Sequence, residues 1–164
     1  MLCGKLSLTL EPCMLARAIA APAWWGRGRY LEAAMSDRTL ISIVDDDQLF
    51  RESMQKLVTL LGYAVEAFPS AAEFLASSFL PETACLVADI HMPGMTGVEL
   101  YGRLTKLGYS IPTILVTAYP DEAVRDRALK DGVFCHLSKP VDDEELDRCL
   151  RSALKRVKPI KENS

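Results

Sequence analysis

Six polar residues could do chemistry together if the chain brings them to one place. Asp45, Asp46 and Asp47 follow the apolar run LISIV (40–44), and Asp89 ends CLVAD (85–89). Thr117 ends TILVT (113–117), and Lys139 follows VFCHL (133–137). Crowded carboxylates repel and raise the pKa of at least one of them, so an acidic cluster at a strand end anticipates a cation. Hard oxygen ligands suit Mg²⁺, which keeps several of its waters. Asp46 and Asp89 can offer carboxylate oxygens, and the backbone carbonyl of His91 another. With an ion there, Asp89 could act as a nucleophile toward a phosphoryl group. Lys139 would supply a point charge and Thr117 a hydroxyl donor to the phosphoryl oxygens. Asp47 fits better as the cap of a following helix than as a ligand.

The elements that must position these residues alternate in period. Strands are expected at 40–44, 63–68, 85–89, 113–117 and 133–137. Between them lie a helix carrying Phe50, Met54, Leu57, Val58 and Leu61, with Gly62 as its C-terminal cap, and a short helix opened by SAAE (70–73). Further helices are expected over Val98–Leu107 and Asp121–Lys130, and from a cap at Asp142 or Asp143 to about Val157. Five strands alternating with five helices imply an α/β fold, a parallel sheet covered on both faces with right-handed crossovers. Ligands of such sheets sit at the carboxyl ends of the strands, where all these polar residues fall. Met92, Pro93, Gly94 and Gly97 shape the loop after Asp89.

Composition narrows the function classes. The 164 residues are 49 % apolar and 25 % charged, with net charge −3. Residues 1–35 carry four basic and two acidic side chains, and the remainder 15 and 20. An acidic domain is a poor holder of nucleic acid. The five cysteines (3, 13, 85, 135, 149) show no CxxC spacing. They read as small hydrophobes in a reducing compartment. No apolar run is long enough to span a bilayer. The first 37 residues lack a clear period, and Arg17, Pro12 and Glu11 argue against a secretory signal. Met35 begins MSDRTLISIVDDD, which reads as a natural start, so the segment before it is expected to be a disordered tail or a mis-assigned start. Residues 38–157 then form one domain and 158–164 a tail. The basic side chains from Arg148 to Lys161 read as a solvated helix face or a docking surface.

The pieces IVDDD, VADIHMPGMTGVEL, ILVTA and SKP, in that order, closely resemble the receiver domain of two-component response regulators over about residues 38–157. The resemblance implies a doubly wound, flavodoxin-like sheet of order 2-1-3-4-5. It implies Mg²⁺-dependent phosphorylation of Asp89 by a sensor histidine kinase, with Asp45 and Asp46 as the acidic pair. Thr117 matches the switch hydroxyl, and Lys139 the family's lysine. Pro140 matches a proline often preceded by a cis bond. Where the family commonly has an aromatic switch residue this chain has His136, whose charge could change near pH 6–7. His91 and Tyr119 stand where hydrolysis of the acyl phosphate is tuned.

By the same resemblance the chain is expected to be a cytoplasmic signalling protein, not an enzyme beyond its own phosphorylation and dephosphorylation. It is expected to act as a stand-alone regulator of a partner protein, with no nucleic acid or membrane contact. A phosphorelay intermediate serving a histidine phosphotransfer protein, a phosphorylation-dependent dimer and a constitutive interaction module stay open. A small-molecule phosphatase fits poorly, because His91 stands where such enzymes carry a second acid.

Overall fold

A computed structural model describes residues 39–156. The extension over 1–37, the tail over 158–164 and the end of the last helix at Val157 fall outside the described residues. The strands are short β-branched and aliphatic runs: β1 Leu40–Val44, β2 Ala64–Phe68, β3 Cys85–Asp89, β4 Thr113–Thr117 and β5 Cys135–Ser138. All pair in parallel in the order β2-β1-β3-β4-β5. Every residue of β3 and β4 is buried, as covering on both faces requires, while the edge strands β2 and β5 are only partly so.

Alternation along the strands divides the core in two. Ile41, Ile43, Val87, Ile114, Val116 and Leu137 face helices α1 (Gln48–Leu60) and α5 (Asp143–Arg156), meeting Met54, Val58, Leu146 and Leu150. Val44, Leu86, Ala88 and Leu115 turn to the other face. There they meet α2 (Ala71–Ala76), α3 (Gly97–Lys106) and α4 (Glu122–Lys130) through Phe74, Leu100, Leu104 and Ala128. Burying each such aliphatic or aromatic side chain stabilises the fold by about 1.5–3 kcal/mol. One polar pair interrupts this layer. Thr83 donates its hydroxyl proton to Phe79 O, so the buried Ser42 must donate to Thr83, 2.7 Å away.

The helices start where side chains take up their free N–H groups. Asp47 accepts from Leu49 and Phe50, Ser70 from Glu73, Asp121 from Ala123 and Val124, and Asp142 from Glu145. Asp47 is thus the cap it resembled in sequence. Thr96 and Glu99 form a reciprocal capping box, so α3 starts at Gly97, one residue before the apolar pattern announces it. Gly62, at φ +96°, turns the chain out of α1. The fifth strand starts later than the apolar run, because the N–H of buried Val133 is taken by Ala128 O at the end of α4. A 3-10 turn at Leu80–Glu82, with Pro81 in it, is too short to leave a period in the sequence. Among the described residues no helix is long and apolar enough to cross a membrane.

Candidate functional site

Parallel strands in register end at one edge of the sheet. Val44 pairs with Ala88, Asp89 with Val116 and Thr117 with Ser138, which brings the ends of β1, β3, β4 and β5 side by side. Asp45 and Asp89, 1 % and 6 % exposed, are buried acids there, and Thr117 is a fully buried hydroxyl.

Lys139 joins the acids. Its Nζ lies 2.7 Å from Asp45 Oδ2 and 3.0 Å from Asp89 Oδ1. Each carboxylate keeps its other oxygen for a backbone donor: Asp47 N–H reaches Asp45 Oδ1 at 2.8 Å, and His91 N–H reaches Asp89 Oδ2 at 2.8 Å. The Lys139 backbone is fixed too, since its N–H donates to Thr117 O at 2.7 Å and the Lys139–Pro140 bond is cis.

One ammonium facing two buried carboxylates leaves the group one negative charge in excess. Burial holds the Asp45 carboxyl above its ordinary range despite the help of Lys139 and of the Asp47 N–H. Burial pulls the Lys139 ammonium the other way, toward losing its proton, but its bonds to Asp45 and Asp89 outweigh that and raise its pKa. The Lys139 charge is therefore secure, and the site as a whole has room for more positive charge.

Its donors are hard oxygens, the type Mg²⁺ takes. Asp46 lies exposed beside Asp45. Among the described residues, however, no three acid, histidine or cysteine side chains are gathered closely enough to hold a metal alone. The expected set of Asp45, Asp46 and Asp89 is therefore not a closed cage. The fit is to an ion that takes few protein oxygens and completes its shell with carbonyl and water, which Mg²⁺ does.

Thr117 completes the edge. Its Oγ1 lies 3.2 Å from His91 Nδ1, accepts from Tyr119 N–H at 3.1 Å and lies 3.3 Å from Tyr119 O. The His91 ring meets Tyr119 edge-on, with centroids 5.9 Å apart. Tyr119 is 74 % exposed, so its ring flanks the site without being buried in it.

His136 is not brought to the acids. It lines a separate cleft with Pro120, Asp121, Arg125, Ser138 and Glu145, and its buried Nε2 has no hydrogen-bond partner. Burial first, then the charge of Arg125, hold its imidazole below the ordinary value. The charge expected for it near pH 6–7 is thus disfavoured.

Three contacts escaped the sequence reading. Phe50, read there as an α1 core position, puts its ring centroid 3.9 Å from Lys139 Nζ. Arg51 donates from Nη1 to the Asp45 carbonyl at 2.6 Å. A basic residue in the first turn opposes the helix dipole, and that was the available signal. Gly97 sits so close to Asp89 that a Cβ would collide with the Asp89 carbonyl oxygen.

Comparison with known proteins identifies the family of this fold. Residues 41–151 match the family described as response regulator receiver domain. Nodulation protein W of Bradyrhizobium diazoefficiens is 36 % identical over 139 residues, covering 85 % of this chain and 60 % of its own length. Response regulator protein TodT of Pseudomonas putida is 36 % identical over 160 residues, covering 87 % of this chain and 70 % of its own. The chain therefore spans under two thirds of the first of these relatives and slightly more of the second. The crystal structure of FixJ-N, 33 % identical, superposes with a TM-score of 0.67 over 74 % of this chain and 98 % of that one. Fold and sequence agree over the same stretch, and the chain belongs to the response regulator receiver family.

Proposed function

We propose that Asp89 accepts a phosphoryl group from a sensor histidine kinase and that the acyl phosphate biases a two-state surface read by a partner. The observation that carries this reading is the Lys139 ammonium held between Asp45 and Asp89, beside the buried Thr117 hydroxyl. A carboxylate oxygen of Asp89 attacks phosphorus, the donor's phosphorus–nitrogen bond breaks, and the nitrogen leaves with the bonding pair. Lys139 and Thr117 then supply a charge and a hydroxyl donor to the transferred group. Mg²⁺, held by Asp45, Asp46, Asp89 and the carbonyl of His91, supplies charge neutralisation when bound.

In this reading Thr117 and His136 carry the change toward α4, β5 and α5, while His91 and Tyr119 tune the lifetime of the acyl phosphate. Reversing a mostly-off equilibrium takes about 5.5 kcal/mol of differential stabilisation. Several charge-assisted bonds to a new dianion supply much of that. An output protein or a histidine phosphotransfer protein would read the surface. Free Cys85, Cys135 and Cys149 support a reducing, cytoplasmic setting.

The test is intact mass after incubation with acetyl phosphate and Mg²⁺, with Asp89→Asn alongside. One phosphoryl group gained by the parent, absent from the variant and prevented by EDTA, is the expected result. A parent that binds Mg²⁺ yet takes no phosphoryl group from acetyl phosphate or from histidine kinases overturns it.

A further inference from the structure

Lys139 carries its charge on a flexible four-carbon stem, and two carboxylates alone do not fix where such a group stands. An ammonium has three N–H bonds. One is directed at Asp45 Oδ2 at 2.7 Å, and the ammonium forms an ion pair with Asp89 Oδ1 at 3.0 Å. On a further side lies Phe50, whose ring centroid is 3.9 Å from Nζ. At that distance the negative face of the ring attracts the cation and takes the place of water.

Phe50 has a fixed seat of its own. It is the third residue of α1, its N–H is one of the two capped by Asp47, and its ring packs on the core formed by β1, β3, β4 and α5. Its neighbour Arg51 ties the same turn to the Asp45 carbonyl at 2.6 Å. The first turn of α1 therefore holds both the acid and the aromatic face that flank the ammonium.

We propose that Phe50 is a positioning residue for phosphotransfer, its ring face holding the Lys139 ammonium where it meets the phosphoryl group on Asp89. The inference rests on Asp89 as phosphoacceptor. When Asp89 is phosphorylated, one of the two carboxylate charges holding Lys139 changes place and shape. The ring is the neutral partner that does not, so it keeps the ammonium over the site through the transfer.

The test compares Phe50→Leu, which keeps apolar bulk but removes the aromatic face, with Phe50→Tyr, which restores the face. Phosphorylation rates are measured against acetyl phosphate concentration in Mg²⁺, with urea midpoints on each protein. Phe50→Leu is expected to lower the maximal rate about three- to tenfold with little change in the half-saturating concentration, and Phe50→Tyr to recover it. Urea midpoints should not follow that order. Equal rates for the parent and Phe50→Leu, or a loss that Phe50→Tyr fails to recover, overturn the role of the ring. A parent that takes no phosphoryl group at all overturns instead the reading of Asp89 on which the role depends.

Discussion

The hydroxyl of Thr117 lies 3.2 Å from Nδ1 of His91, a contact between the end of β4 and the loop after β3. The same hydroxyl accepts from Tyr119 N–H, so the ring and the following turn together fix the resting position of Thr117. Removing the hydroxyl by Thr117→Val should cost about 0.5–1.5 kcal/mol, and His91→Ala less, since His91 is exposed. Their double mutant should depart from additivity by about 0.5 kcal/mol or more. Urea unfolding of the four proteins measures it, and strict additivity would mean that ring and hydroxyl do not interact in solution.

Asp45 gives a prediction about metal. Burial raises its folded-state pKa above the ordinary 3.8, so its protonated form favours folding. That contribution is complete below pH 3.8 and is lost as pH rises through the folded value. At neutral pH the ionised group, even with the Lys139 ammonium beside it, works against the fold unless a further cation relieves it. In EDTA, Asp45→Asn should therefore be at least as stable as the parent. Mg²⁺ at ten times its Kd should add about 1.4 kcal/mol to the parent and much less to the variant. Thermal melts with and without Mg²⁺ decide it, and equal gains in both would remove Asp45 from the metal site.

For His136 the sign runs the other way. Its folded pKa lies below the ordinary 6.5, so the unfolded chain binds the proton more readily. Stability from the neutral ring is present above pH 6.5 and is lost as pH falls through the folded value. His136→Phe should flatten the acid side of the stability curve between about pH 5 and 7 and leave the neutral side unchanged. Urea midpoints across that range measure the slope, and an unaltered slope would place the acid sensitivity elsewhere.

Gly97→Ala tests the close approach of α3 to the end of β3, where Asp89 stands. A Cβ at 97 meets the Asp89 carbonyl oxygen, which is backbone and cannot swing aside. The expected cost is about 1–3 kcal/mol in urea unfolding. Because the displaced residue is Asp89 itself, acetyl phosphate labelling should slow even where the variant is fully folded. Unchanged labelling would mean that the helix end yields instead of the strand.

Helix number and the four converging strand ends were legible because each depends on local pattern, whereas the strand order, which is set by non-local pairing, came from the family resemblance alone. Asp45, Asp89, Thr117 and Lys139 each follow or close an apolar run, and parallel register does the rest. Asp47 was readable as a cap for the same local reason. Phe50 was not readable as a neighbour of Lys139, because the two are far apart in the chain and only the sheet brings α1 against the β5 loop. The bond from Thr117 to His91 is likewise a product of strand adjacency. The charge state of His136 depends on burial, which an edge-strand sequence with alternating polarity does not disclose.

The 2.7 Å bond from Lys139 N–H to Thr117 O ties the lysine's backbone to that of the buried hydroxyl, at the top of the last pair of strands. The two residues that would meet a phosphoryl group are thus neighbours on one backbone rung. Once a pull on the ammonium has reached the Lys139 main chain, it needs no second side chain to arrive at Thr117, and a displacement of the Thr117 main chain is felt at Lys139 by the same bond.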